Sequence, residues 1–260
     1  MDLVDGMTFT GVAPGRRSLE GLQWLGRVGA SPVEPWRLVM GWSERVARDH
    51  VQRLETAGLV ERVAMRRGQG VLVVASSRGA REAGYPGSWA PRSIGPSNWA
   101  HACGCAWASA WLELRDRAWW SERQVKDSDF WRREVTYRDR RGTARVTHRP
   151  DLGVRVDGKP AAVEVELQRK PRARLLGILQ MYAELTQGED GPLAGVLYIT
   201  GNDDIAGLLG RVAKDARLDR PRLTVRPLGV IVEQAREAAR TRHAIRDRSD
   251  VATALMEVAR

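Results

Sequence analysis

The chain has 260 residues, 43% of them apolar, with 42 basic against 32 acidic side chains for a formal net charge of +10. That length fills the core of one large domain or two modest ones, which sets aside disordered and collagen-like chains. No apolar run approaches the roughly 20 residues of a membrane span, the start Met1-Asp2-Leu3-Val4-Asp5 is unlike a signal peptide, and the close pair Cys103 and Cys105 suits a reducing cytoplasm better than a disulfide scaffold. Arginine outnumbers lysine 38 to four. GC-rich coding produces the same bias, so charge alone argues weakly for a nucleic-acid partner.

In chain order, Ser18 can cap a first helix in which Leu19, Leu22, Leu25 and Val28 recur every three residues, with Gly29 closing it. A short helix follows near Glu34 to Met40. Gly41-Trp42-Ser43 makes a turn, and Ser43 is a natural N-cap for a third helix through Thr56, whose Ala47, Val51 and Leu54 share a face. Strands are expected at Leu59 to Met65 and Val71 to Ala75, around the tip Arg66-Arg67-Gly68-Gln69-Gly70. Three helices and a hairpin are the order of a winged helix-turn-helix, so residues 1–84 are expected to be a DNA-binding domain of that kind. The stretch from Tyr85 to Pro96 is dense in proline and glycine, which places a linker at 85–97.

The second part opens with a helix from Asn98 to about Arg117. Strand-like pieces follow at Val135 to Tyr137 and Ala144 to Thr147. A hairpin runs Leu152 to Val156, turns at Asp157-Gly158 and returns through Ala162 to Leu167. Then come a helix at Arg172 to Leu185, a strand at Gly195 to Ile199, a helix at Asp203 to Leu218, a strand at Leu223 to Val225 and a charged C-terminal helix. Strands alternating with helices argue α/β, with one domain over 98–230 and a helical extension over 231–260.

Two constellations carry chemistry. On the third helix Arg45, Arg48 and Gln52, with Asp49, sit opposite the apolar face at spacings of three and four. Arginine can fork onto guanine and glutamine onto adenine in a major groove, while Arg66 and Arg67 at the wing tip suit phosphate or minor-groove contact. A solvated helix face and an ordinary polar turn is the competing reading. The second constellation is His148-Arg149-Pro150-Asp151 followed by Glu164-Val165-Glu166-Leu167-Gln168-Arg169-Lys170. In a strand Glu164, Glu166 and Gln168 share one face while Val163, Val165 and Leu167 point to the core, and the hairpin returns Asp151 to the charged side. Clustered carboxylates repel unless a cation offsets them, and Mg²⁺ favours such oxygens together with water and phosphate. His101, Cys103 and Cys105 read as packing residues, since helical spacings of two and four do not converge as metal ligands. Most of the ten tryptophans read as core.

The carboxylate constellation resembles the PD-(D/E)xK nuclease superfamily, with Pro150-Asp151 and Glu164-x-Glu166 as the two halves of its motif. Glu166 stands where the usual lysine does, as a glutamate does in some restriction endonucleases, and Lys170 lies four residues on. The resemblance implies a restriction-endonuclease-like α/β domain, Mg²⁺ or Mn²⁺ as cofactor, Asp151 and Glu164 as metal ligands, Glu166 as ligand or general base and Lys170 as phosphate contact. It also implies a glutamate from the preceding helical region, for which Glu122 is the first candidate and Glu113 the second. Both parts together, over roughly residues 18 to 225, are similar to the replication-relaxation family of actinobacterial plasmids and mobile elements, through Ala57-Gly58-Leu59-Val60, the His-containing helix His101 to Arg117, Trp120 to Arg123, Arg149 to Asp151 and Val163 to Leu167. What that implies is a cytoplasmic protein acting on double-stranded plasmid or mobile-element DNA, as a metal-dependent endonuclease or as a non-catalytic transcriptional or replication regulator. Other plasmid replication or transfer proteins, and a second copy of the chain, are the protein partners it admits.

Overall fold

The computed structural model describes residues 14–65, 70–91, 93–140 and 142–258, with side chains described as far as residue 244. The chain divides into two units, Met1–Ala106 and Trp107–Arg260.

The first unit begins with α1 (Arg16–Val28), β1 (Ala30–Pro32), α2 (Val33–Met40) and α3 (Glu44–Thr56), followed by β2 (Val60–Ala64), β3 (Val71–Ala75) and α4 (Ser77–Glu82). Ser43 caps α3 by accepting the Val46 amide at 3.3 Å. Ala47, Val51 and Leu54 face inward, the last with no exposed surface; burying a side chain of leucine size stabilises by about 1.5–3 kcal/mol. The hairpin β2–β3 gains a third antiparallel strand, giving the order β1-β3-β2. That strand was not legible in the sequence, because three residues ending in proline carry no alternation. Ser18 is not the α1 cap. Gly15 holds that place, and the Ser18 hydroxyl turns inward, 2.7 Å from His50 Nδ1. Leu19, expected on the apolar face, is 36% exposed.

Residues 85–97 are not a bare linker. Tyr85 stacks on Trp89 with centroids 4.9 Å apart, Ala83 and Tyr85 crowd Gly26 of α1, and Ile94 packs against the small sheet. The division between units falls instead inside α5 (Trp99–Leu114). Trp99, Ala102 and Cys103 pack with Leu72 and Val74 of the first unit, while the later turns of α5 belong to the second. None of the ten tryptophans is exposed.

The second unit continues with β4 (Trp119–Trp120), α6 (Glu122–Asp127), β5 (Arg133–Asp139), β6 (Gly142–His148), β7 (Leu152–Val156) and β8 (Lys159–Glu166). It ends with α7 (Arg172–Leu185), β9 (Val196–Thr200), α8 (Asp203–Asp215), β10 (Leu223–Pro227) and α9 (Leu228–Val258). Five strands form one mixed sheet in the order β10-β9-β8-β7-β4, parallel from β10 to β8 and antiparallel from β8 to β4, and β5 and β6 form a separate ribbon. The β7–β8 turn uses Asp157 and Gly158 at φ 48° and 84°, the left-handed pair that a two-residue hairpin requires. On one face α7 and α8 bury Leu175, Ile178, Leu179, Leu209 and Val212 against Ala162, Val196 and Tyr198. On the other, α9 packs on β9 and β10 with Ile231, Ala235 and Ala239 buried. In β8 itself Ala161 to Glu166 are buried on both faces. Glu164 and Glu166 share a face as strand alternation requires, and that face is buried, at 2% and 5% exposure; Gln168 does not join them, because the strand ends at Glu166 and Gln168 is an exposed loop residue.

Candidate functional site

Three elements converge on Glu164. His148 ends β6, Tyr182 faces inward from α7, and Glu164 sits near the end of β8. His148 Nε2 lies 2.8 Å from Glu164 Oε1 and 3.2 Å from the Tyr182 hydroxyl, which itself donates to the same Oε1. Both bonds land on Oε1, so the carboxylate is fixed through one oxygen. Burial alone would raise the Glu164 carboxyl, but the charge and hydrogen bond of His148, then Lys170 and Tyr182, outweigh it and hold the group below its ordinary value. Burial, reinforced by Glu164, pushes the hydroxyls of Tyr182 and Tyr198 well above theirs, so both remain donors near neutral pH.

Asp151 follows Pro150 in the link from β6 to β7, and the Val165 amide donates to its Oδ2 at 2.7 Å. That bond ties Asp151 to the backbone between the two glutamates. Glu166 receives Lys170, which reaches back from the loop between β8 and α7. Burial, with Glu164 and Asp151 adding like charge, raises the Glu166 carboxyl although Lys170 opposes the shift. Burial works against the charge on Lys170, yet Glu164, Glu166 and Asp151 together hold its ammonium above the ordinary value. Thus Asp151, Glu164, Glu166 and Lys170 share one electrostatic neighbourhood. Lys170, four residues after Glu166, thus reaches back to that carboxylate.

Glu122 opens α6 and pairs with Lys126 one turn on. The pairing of Trp120 with Gly153 brings it to the same end of the sheet as Asp151, but Glu164, Glu166 and Lys170 are shaped by one another and not by Glu122. Glu113 is occupied elsewhere, accepting from Trp119 Nε1 at 2.8 Å. Tyr182 was visible in the sequence only as a tyrosine on the helix after the motif. No periodicity marks it as a partner of Glu164, because its spacing also fits the core.

Asp151 from the link before β7 and Glu164 and Glu166 of β8 offer hard oxygen donors of the type a divalent cation takes, and the parallel register places Thr200, fully buried with no partner for its Oγ1, beside Glu166. The Nε atoms of Arg149 and Arg174 are likewise buried without a hydrogen-bond partner.

In the first unit, Arg45, Arg48 and Gln52 are exposed on α3 as expected. Arg48 pairs with Glu44, and Gln52 accepts from Arg62 of β2 at 3.3 Å, which links helix and hairpin. Arg66 and Arg67 lie outside the described residues. His101 Nε2 and Cys105 Sγ, one helical turn apart, do meet at 3.5 Å, whereas Cys103 turns to Met65. The pattern of two and four thus resolves into one contact, and burial raises the Cys103 thiol.

No family profile matches the sequence, and no curated protein matches it. Among solved structures the chain is similar to protein VC1899 from Vibrio cholerae, at 12% identity and a TM-score of 0.31, over 86% of this chain and 50% of that one. The chain thus spans about half the length of the solved protein it matches. The second unit is α/β, and no helix among the described residues is long and apolar enough to cross a membrane.

Proposed function

We propose that the second unit carries a divalent-metal nuclease site of the PD-(D/E)xK kind and that the first is a winged helix-turn-helix that delivers duplex DNA to it. The observation that supports this reading is that Asp151 accepts the amide of Val165, between Glu164 and Glu166, while Lys170 returns to Glu166 at the end of β8. Asp151, Glu164 and Glu166 would hold Mg²⁺ or Mn²⁺. Bound there, the cation supplies positive charge against a phosphodiester and lowers the pKa of water. His148 and Tyr182 orient Glu164 through Oε1 and leave Oε2 to act as ligand, the usual division of labour around a metal carboxylate. Glu166, with its affinity for a proton raised, suits the base that accepts one from water. Lys170 can exchange Glu166 for a phosphate oxygen, and Arg149 and Arg174, each with a buried Nε that lacks a hydrogen-bond partner, are further cations close in sequence to the motif. Replication-relaxation of plasmid or mobile-element DNA in the cytoplasm is the biological setting that this pairing of units suits.

One observation favours a second reading. Glu164 is almost wholly buried and already bonded by two side chains, which a purely structural anchor would also be. On that reading the chain is a DNA-binding regulator with a degenerate site. Supercoiled plasmid incubated with the purified protein, with EDTA, Mg²⁺ or Mn²⁺, separates the two. Nicking that needs metal and disappears in Asp151→Asn supports the nuclease, and an intact plasmid under all conditions with retained duplex binding supports the regulator.

A further inference from the structure

The face of the large sheet away from the carboxylates holds a cavity of about 440 Å³. Strand neighbours alternate faces, so Ala161 and Leu197, which form its floor, point opposite to Glu164 and Tyr198. Trp111 of α5 and Gln234 of α9 form its wall, and Arg115, Arg117, Arg222 and Arg226 line it. No acidic side chain among the described residues is part of the lining.

The charge in this cavity is largely uncompensated. Arg222 pairs with the exposed Asp219 at 2.6 Å. Arg226 spends one nitrogen on Gln234 Oε1 at 3.3 Å, and Arg115 lies 5.8 Å from the Trp111 ring centre. Among the described residues Arg115, Arg117 and Arg226 have no carboxylate partner; Asp116, between the first two, is turned to Arg242 at 3.6 Å. Arg155 also borders the cavity, but its guanidinium lies over Trp120. Gln234 is fixed as a donor. Its Oε1 accepts both Trp111 Nε1 at 3.1 Å and Arg226, so its amide nitrogen remains to be accepted by something else.

A cavity whose committed polar groups are cations and donors selects a ligand rich in acceptors and negative charge. Its volume lies in the range of small-molecule sites and is too small for a duplex. The indole of Trp111 and the apolar floor add a surface for a planar ring. We infer that this cavity is a second ligand site, for a free nucleotide whose phosphates lie on Arg115, Arg117, Arg222 and Arg226 and whose base lies against Trp111. The site is independent of the carboxylate cluster and of any metal held there.

The test is calorimetric titration of the full-length chain with ATP in EDTA at low salt, with tripolyphosphate and a 20-base-pair duplex as competitors. ATP is expected to bind once per chain. Arg115→Glu and Arg117→Glu, both exposed positions that leave packing untouched, are each expected to weaken it by at least about tenfold. Asp151→Asn is expected to leave ATP binding unchanged, and tripolyphosphate to displace ATP only at higher concentration. Absence of ATP binding overturns the inference, as does binding that survives both charge reversals. Displacement of ATP by the duplex overturns the assignment to a free nucleotide.

Discussion

Each unit buries one histidine, and the two are buried differently. His50 of α3 bonds to the neutral Ser18 hydroxyl and stacks on Trp42 with centroids 4.2 Å apart. Burial, with Arg53 and Arg17 adding like charge, pushes its pKa below the ordinary value, so the ring is held neutral. His148 instead meets a carboxylate and a tyrosine hydroxyl in a pocket of almost no exposure. A histidine given a hydroxyl and an aromatic face helps to fix three helices; one given a glutamate builds a charged centre that must be balanced by further groups. The first arrangement is a scaffold and the second has the makings of a site.

The largest expected effect comes from breaking the charged centre. His148→Ala leaves Glu164 buried without its counterpart and should destabilise the second unit by about 3–5 kcal/mol. Ser18→Ala, which leaves only the neutral His50 ring short of a bond, should cost the first unit about 1–3 kcal/mol. Urea unfolding followed separately in the two units measures both, and equal losses would erase the distinction between them.

Metal comes next. Asp151→Asn keeps an acceptor for the Val165 amide while removing a like charge from beside Glu166. Metal-free stability should therefore hold or rise. Mg²⁺ or Mn²⁺ at a hundred times its dissociation constant should stabilise the wild type by about 2.7 kcal/mol and the variant hardly at all. Thermal melts with EDTA and with metal read the difference. A wild type whose melting temperature ignores both cations removes the metal from the proposal.

Acid should sharpen the contrast. For His50, lowered in the folded state, the unfolded chain takes up the proton first, so stability is full above the unfolded value near 6.5 and is lost as pH falls below it. Glu164, also lowered, contributes above its unfolded value near 4.5 and loses that contribution at lower pH. The first unit should therefore weaken at a higher pH than this centre of the second. His50→Gln should flatten the first loss and leave the second, as followed by urea midpoints across pH 3 to 8. The smallest effect is expected on the surface of α3. Arg48→Ala should relax sequence preference by about 1–3 kcal/mol with little change in stability, since its pair with Glu44 is exposed. Parallel binding curves on selected and random duplexes test it, and equal losses on both would deny it a base-reading role.

Local chemistry determined much of this. Apolar spacing located α3 and α7, the Asp157-Gly158 dipeptide located the hairpin, and the nearness of Asp151 to the strand that carries Glu164 and Glu166 was legible because a tight turn returns one strand beside the other with no help from distant chain. The edge strand β1, the packing of residues 85–97 and the division inside α5 were not legible, since each depends on surfaces supplied from elsewhere. The same holds at the site. A strand pattern tells which residues share a face but not what covers it, so the sequence did not show that α7 lies against Glu164 and supplies Tyr182. It did not fix Glu166 as the partner of Lys170, and it gave no sign that arginines from three separate segments line one cavity behind the sheet. Contacts between residues far apart in the chain are set by packing and charge balance in three dimensions, and for those only the tertiary structure decides.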